Sequence, residues 1–153
     1  MNLLKANKTN WGACVPGHFP DNVVSATAVN AHSVRFKLNA AYSPTWFTYN
    51  ELSQVVPIPM AWDRTSLTSS VPTAATANLP DTTTVGAEAV CKFLNAQATD
   101  LATYATSPIW SVVDGPWKLK SFTTDGKAVF IPNTSCSGPI KSTIKEFVEL
   151  PFT

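Results

Sequence analysis

Thiol and imidazole side chains are the residues of this sequence whose types could support catalysis. Cys14 and Cys136 supply thiols, and His18 and His32 supply imidazoles. A cysteine hydrolase needs a thiolate within hydrogen-bond reach of an imidazole, and a third group that orients the ring. The sequence shows no positioned partner for either histidine. A small cysteine-dependent hydrolase is therefore an alternative interpretation and not the leading one.

Other catalytic signatures do not occur in the sequence. There is no Gly-x-Ser-x-Gly elbow, no phosphate-binding glycine loop, no HExxH pair and no specific pair of carboxylates. The cysteines also lack the spacing of a zinc site. The sequence accordingly predicts a protein that is not an enzyme, with no catalytic residues, no metal ligands and no cofactor.

The cysteine count is odd, so at most one disulfide can form within the chain. Cys91 falls on an apolar helical stripe, which is typical of a small buried hydrophobic residue or of a partner for a cysteine outside the chain. Cys14 and Cys136 either pair with each other or remain unpaired, because spacing alone cannot establish proximity.

Length and composition indicate one domain covering residues 1–153, with 44% hydrophobic residues to supply a core. Charged residues make up 14% and the net charge is +1, which gives no electrostatic basis for nucleic-acid or anionic-membrane partners. Twelve prolines and abundant Ser, Thr, Ala and Asn are typical of a secreted protein. The residues Met1–Lys5 have no apolar core of signal-peptide length, so we expect no export signal in this chain.

Two β-hairpins are predicted. Val23–Val29 and Val34–Leu38 flank a turn, and the second run alternates apolar and basic residues. Trp117–Thr123 and Lys127–Ile131 flank Asp125-Gly126, a dipeptide that favours a two-residue type I′ turn. The register that follows pairs Thr124 with Lys127, Phe122 with Val129, Ser121 with Phe130 and Lys120 with Ile131.

Helices are predicted at two places. Ser43-Pro44 offers an N-cap followed by proline at the first helical position, so a short helix begins there. A longer helix starts after Asp81 and ends at Pro108. Residues 65–84 are rich in Ser, Thr, Ala and Pro and predict a long surface loop, whereas residues 55–60 predict a buried strand or an extended edge segment. The apolar stripe of the long helix is Ala87, Val90, Cys91, Leu94, Ala98 and Leu101.

A series of short motifs carries a family resemblance. In this order they resemble the type 5 extracellular solute-binding proteins, which are the oligopeptide- and dipeptide-binding components of ABC importers. At positions 14 and 136 the family pattern has an aromatic residue where this chain has cysteine. The motifs are Asp114-Gly115-Pro116-Trp117-Lys118-Leu119, Asp125-Gly126, Pro132-Asn133, Ser137-Gly138-Pro139 and Phe147-Val148-Glu149-Leu150-Pro151-Phe152.

The resemblance implies an α/β (α+β) fold, a fragment of one type II periplasmic-binding-protein lobe with a mixed sheet, two β-hairpins and one main helix. It implies solute capture outside the cytoplasm, extracellular or periplasmic, with a peptide or other small solute as ligand and an ABC permease as partner in the full-length context. The family's members are several times longer, so we expect this chain to be an internal segment with little peptide affinity of its own. The ligand-binding residues that the resemblance implies are Trp46, Tyr49, Asn50 and Glu51. The alternative is structural: Trp46 and Phe47 pack in the core and Tyr49 caps it, as aromatic residues at this spacing more often do.

A third interpretation concerns self-association. Strands that pair with absent parts of a lobe would leave sheet edges and apolar surface exposed. Such surfaces recruit a second chain, so the sequence also predicts a homodimer formed through exposed sheet edges.

Overall fold

Five β-strands and three α-helices form in residues 1–10, 12, 14–73 and 79–152, the part of the chain that the computed structural model describes. The protein has a mixed α and β fold with two separate antiparallel sheets. The helices are α1 (Asn2–Ala6), α2 (Pro44–Trp46) and α3 (Thr84–Thr99), and the strands are β1 (Val23–Asn30), β2 (Ser33–Leu38), β3 (Trp117–Phe122), β4 (Ala128–Pro132) and β5 (Phe147–Glu149). Short 3₁₀ turns cover Lys8–Asn10, Leu52–Gln54, Met60–Trp62, Pro80–Thr82 and Leu101–Thr103.

Contacts along the chain form two compact units, where the length alone predicted a single domain. The first unit contains Met1–Ile58 and Pro80–Cys91, and the second contains Pro59–Leu79 and Lys92–Thr153. The first unit holds the β1–β2 sheet, and the second holds the sheet of order β3-β4-β5. No helix in the described residues combines the length and the apolar composition needed to cross a bilayer.

The first hairpin is confirmed. β1 and β2 pair antiparallel, and Asn30 opposite Ser33 leaves a two-residue turn that contains His32. Only Val23 among the eight residues of β1 is buried, and in β2 Phe36 is half-buried while the basic residues on either side of it are exposed. The predicted alternation is present, but protein covers the apolar face only in part.

Side-chain bonds to backbone carbonyls connect α1 to the rest of the first unit. Asn7 Nδ2 donates to the Ala87 carbonyl of α3 at 3.2 Å, and Lys5 Nζ donates to the Val23 carbonyl at 2.5 Å. Asn7 is buried, so its amide needs such partners. α1 is therefore attached to both α3 and the start of β1.

The long helix begins as predicted and ends earlier. Thr83 Oγ1 accepts from the Gly86 amide at 3.0 Å, which satisfies one of the open donors of the first turn. The end predicted at Pro108 is wrong, because α3 stops at Thr99 and Asp100 leaves the helical region with φ −92° and ψ 75°. Cys91 and Leu94 are half-buried, and Leu101 lies in the following 3₁₀ turn.

The second hairpin forms, but the predicted register is wrong. The Gly126 amide donates to the Thr123 carbonyl at 2.9 Å, and the Thr123 amide donates to the Lys127 carbonyl at 3.0 Å. The loop therefore has three residues, and only Gly126, at φ 93°, occupies the left-handed region. A type I′ turn would require Asp125 there as well, and Asp125 instead accepts a hydrogen bond from the Thr123 hydroxyl.

This longer loop shifts the pairing and is accompanied by a bulge. Phe122 lies opposite Ala128, Ser121 opposite Val129, and an irregularity follows Leu119. β5 then pairs antiparallel with the other edge of β4. β5 comprises the first three residues of the motif Phe147–Phe152.

Asn133 connects the two ends of the motif region in the second unit. Its side-chain amide donates to the carbonyls of Gly115 at 2.9 Å and Val113 at 3.3 Å, and its backbone amide donates to the Pro116 carbonyl at 2.8 Å. The chain leaving β4 is therefore bonded to the Gly-Pro segment that leads into β3.

Two predictions concern segments outside the sheets, residues 55–60 and residues 65–84. Of the two alternatives predicted for residues 55–60, the buried strand is wrong, because no described strand pairs with this segment and the side chains of Val56 and Ile58 are exposed. The extended alternative fits residues 55–59, and Met60 begins a 3₁₀ turn. Pro57 and Pro59 lack the amide hydrogens that a strand would use there. Residues 65–73 form the predicted loop, and residues 74–78 lie outside the described residues.

Candidate functional site

A buried carboxylate is the centre of the most highly bonded polar cluster in the first unit. Glu51 ends a single π-helical turn, Phe47–Glu51, that continues directly from α2. Ser43 starts this segment, since its hydroxyl accepts from the Trp46 amide at 3.4 Å with Pro44 at the first helical position. Only 1% of the Glu51 surface is exposed. The N-cap thus fixes where the helical segment begins, and therefore the face of the segment on which Glu51 lies.

Three donors from one loop surround the Glu51 carboxylate. Oε2 accepts from the Phe19 amide at 2.6 Å and from Asn22 Nδ2 at 2.6 Å, and Oε1 lies 2.8 Å from His18 Nδ1. A buried carboxylate is costly unless such bonds compensate its lost hydration. Glu51 therefore fixes residues 18–22 against the helical segment.

His18 is the group in this cluster that reaches solvent, because 49% of its side chain is exposed. A carboxylate only accepts hydrogen bonds, so we assign the hydrogen on Nδ1 to the bond with Glu51. In the neutral imidazole this leaves Nε2 as an acceptor. The ring lies 5.6 Å from that of Trp46, which in turn stacks on Tyr42 at 5.7 Å.

A second ion pair holds the same loop from its other side. Lys8 forms an ion pair with Asp21, and the Gly17 amide donates to Asp21 Oδ2 at 3.3 Å. The Lys8 hydrogen bond, followed by the Gly17 amide, holds the pKa of Asp21 below its ordinary value, and burial acts weakly in the opposite direction. Gly17 has φ 83°, a conformation that glycine adopts without strain.

The four predicted ligand residues separate into two groups. Tyr49 is 76% exposed, Asn50 is exposed with its Nδ2 bonded to the Trp46 carbonyl at 3.0 Å, and Trp46 is half-buried. Glu51, in contrast, points inward, and both of its oxygens have partners within the protein. The structure thus brings Trp46, Tyr49 and Asn50 to one accessible helical segment with Glu51 behind it.

The cluster contains two parts of a catalytic triad, an imidazole and the carboxylate that orients it. It contains no cysteine nucleophile: in the described residues no hydrogen bond joins Cys14 to His18 or His32, and the second unit, which holds Cys136, has no histidine. All three cysteines are free thiols, so the disulfide considered for Cys14 and Cys136 does not form. His32 lies exposed in the turn between β1 and β2.

Sequence reasoning missed the partnership of His18 with Glu51. The two residues are 33 positions apart, and no local pattern connects them. The one available signal was a carboxylate within an otherwise aromatic helical segment, where burial is unusual unless the charge is bonded.

Among the residues that the structure describes, no group of three or more His, Cys, Asp or Glu side chains could hold a metal ion. Comparisons of the chain with protein-family models, with curated proteins and with solved structures each find no match.

Proposed function

We propose that this chain is part of one lobe of the solute-binding component of an ABC importer, and that it contributes to capture of a peptide or another small solute without catalysis. The motif order in residues 114–152 supports the family. Asn133 adds a physical reason for that order, since it donates three hydrogen bonds to carbonyls of residues 113–116. These bonds connect the Pro132-Asn133 motif to the motif that begins at Asp114. The proposed location is extracellular or periplasmic, with a permease as partner.

The observation that carries the ligand role is the outward face of the α2 segment. Tyr49 presents a ring that is 76% exposed, next to the half-buried Trp46 and the Asn50 amide. Aromatic rings supply contact area at a low entropic cost, and an amide supplies hydrogen bonds to a peptide backbone. We assign ligand contact to Trp46, Tyr49 and Asn50, and we assign to Glu51 the positioning of this segment.

Titration of tri- to pentapeptides tests the proposal. One lobe holds only half of a cleft, so calorimetry with this chain should detect no micromolar binding. Amide NMR shifts at millimolar peptide should occur at Trp46, Tyr49 and Asn50, and Tyr49→Ala should reduce them. Val85→Ala is the matched control, because Val85 is also 76% exposed in the same unit. Micromolar binding by the chain, or shifts that avoid these residues, would contradict the proposal.

A second candidate function, self-association, is favoured by the exposed apolar side chains of the β1–β2 sheet. Val24 and Val29 of β1 and Val34 of β2 are 53%, 52% and 60% exposed. The sheet has only two strands among the described residues, so each strand has an edge without a partner strand. Seven of the eight residues of β1 contribute to this exposure.

A second copy of the chain is the occupant that we propose for this surface. Light scattering should show a mass of two chains that falls on dilution. Val24→Lys and Val34→Lys should shift the mass to that of one chain, because lysine at a strand edge opposes pairing. A strict monomer at high concentration would contradict self-association and would leave the solute-binding proposal intact.

A further inference from the structure

Two asparagines of the sequence stand in the acceptor triplet for N-linked glycans, Asn-x-Ser/Thr with x other than proline. They are Asn7, in Asn7-Lys8-Thr9, and Asn133, in Asn133-Thr134-Ser135. A glycosylated triplet lies at the surface of a folded protein, because the attached sugar is bulky and hydrated. Both asparagines are instead buried, with 4% of Asn7 and 9% of Asn133 exposed. The triplets and the fold therefore place the same two side chains in opposite surroundings.

The side-chain nitrogen of Asn7 uses both of its hydrogens within the first unit. Nδ2 donates to the Leu3 carbonyl at 2.7 Å and to the Ala87 carbonyl of α3 at 3.2 Å. An amide nitrogen has no further hydrogen to donate. Lys8 and Thr9, the other two residues of the triplet, are exposed. The atom that would receive the sugar is thus the enclosed part of an otherwise accessible triplet.

Asn133 repeats this arrangement within the second unit. Its Nδ2 donates to the Gly115 carbonyl at 2.9 Å and to the Val113 carbonyl at 3.3 Å. Its Oδ1 accepts from the Ser135 amide at 3.1 Å, so the triplet closes on itself in an Asx turn. Each unit therefore contains one acceptor asparagine whose nitrogen is bonded to two carbonyl oxygens.

Attachment of a glycan would change this nitrogen in two ways. In the transfer reaction Nδ2 forms a bond to C1 of the first sugar, and the bond from C1 to the pyrophosphate of a lipid-linked oligosaccharide breaks. The pyrophosphate leaves on the lipid, and one proton of Nδ2 passes to a base of the transferase. A single hydrogen then remains for two carbonyls, so one buried acceptor loses its partner. The sugar would also overlap the protein atoms that now enclose the nitrogen.

We propose that N-glycosylation and folding of this chain exclude each other. Asn7 and Asn133 accept a glycan only while their segments are unfolded, and a glycan on either one prevents folding of the unit that contains it. In a secretory route with an oligosaccharyltransferase, the order of the two events then determines the outcome for each chain. The inference is independent of the solute-binding proposal, because it uses neither α2 nor residues 18–22.

Chains that carry one N-acetylglucosamine on a chosen asparagine test the effect of the sugar on folding. The three cysteines divide the chain so that Asn7, Asn30 and Asn133 lie in separate segments, which native ligation at cysteine joins. With the sugar on Asn7 or Asn133, the ratio of folded to unfolded chain in a urea titration should fall by about tenfold or more. Asn30 is the matched control, because it is exposed beside the β1–β2 turn, and a sugar there should leave the ratio unchanged. Equal ratios for all three forms would overturn the proposal.

Secretion from eukaryotic cells through a fused export signal tests the order of events. Molecules that resist protease should carry no glycan on Asn7 or Asn133, and any molecules with such a glycan should be protease-sensitive. His32→Thr completes a triplet at the exposed Asn30, so its protease-resistant fraction should carry a glycan there. Protease-resistant molecules with a glycan on Asn7 or Asn133 would contradict the exclusion.

Discussion

His18 Nδ1 and Glu51 Oε1 lie 2.8 Å apart, and this contact joins a surface imidazole to a carboxylate that is almost fully buried. The same carboxylate accepts from the Phe19 amide and the Asn22 side chain. All three donors belong to residues 18–22, which precede Glu51 by at least 29 positions. The Glu51 side chain therefore attaches this loop to the helical segment, in addition to the Lys8–Asp21 ion pair.

Replacement of Glu51 by glutamine should destabilise the first unit by about 2 kcal/mol or more. The amide keeps the shape of the carboxylate but loses the negative charge that strengthens all three hydrogen bonds. Its nitrogen can replace Oε1 only if His18 changes tautomer so that Nδ1 accepts. Chemical denaturation measures the loss. Glu146→Gln is the control, since its exposed ion pair with Lys120 should contribute under about 1 kcal/mol. Equal effects of the two changes would contradict the role assigned to Glu51.

Asp21 should make stability sensitive to acid. Its pKa is lowered in the folded protein, chiefly by Lys8, so its contribution is fully present above the ordinary value and is lost as the pH falls below that value and through the lowered folded pKa. Asp21→Asn should therefore lower the unfolding midpoint at neutral pH and make no difference at a pH well below the folded pKa, where both side chains are neutral. The effect should be small and should decrease with added salt, because the pair is screened by solvent.

Lys8→Met provides the matching test for this ion pair. It should reproduce the neutral-pH loss of Asp21→Asn, and the double variant should lose no more than either single one. Additive losses would show that the two side chains act separately.

Gly86→Ala should destabilise the protein although alanine favours helices. A Cβ at position 86 would overlap the Pro80 carbonyl oxygen and lie 2.7 Å from its carbon, and both are backbone atoms that cannot move aside easily. Overpacking of this kind costs about 1–3 kcal/mol, more than the gain of about 1 kcal/mol in helix propensity. Urea denaturation measures the balance, and Gly115→Ala is the control because no atom lies within 4 Å of its Cβ. A more stable Gly86→Ala variant would show that the Pro80 turn relaxes.

Gly126→Ala should cost about 1–2 kcal/mol, because φ at this position is 93°. Gly126→Asn should cost less, since asparagine adopts the left-handed region more readily. Denaturant midpoints of the two variants give the comparison. Equal costs would show that the stability is lost through crowding against Pro151 and not through backbone strain. The Cβ of Pro151 lies 3.4 Å from the position of the new Cβ.

Local signals in the sequence predicted the elements but not their details. Ser43-Pro44 placed the start of α2 correctly, and the alternating run at residues 34–38 placed β2. Asp125-Gly126 located a hairpin, yet its register depended on whether one or two residues adopted positive φ, and only glycine did. The exposed segment at Val56 was misinterpreted because apolar residues predict burial only where a partner surface exists.

The candidate site was less accessible to sequence reasoning. Trp46, Tyr49 and Asn50 were predicted as ligand residues only through a resemblance, whereas the contact of Glu51 with His18 depends on how a loop returns to a helix in three dimensions. The burial of Arg64, of which only 4% is exposed, could not be predicted either, because a single arginine in a sequence does not indicate which residues will surround it.

The β1–β2 hairpin has two strands and almost no covering protein, since Val23 is its one buried residue in β1. Beyond Val23, its amide hydrogens are consequently held by a single ladder that can open without exposing buried side chains. In deuterated solvent these amides should exchange well before those of β4, which has neighbours on both sides.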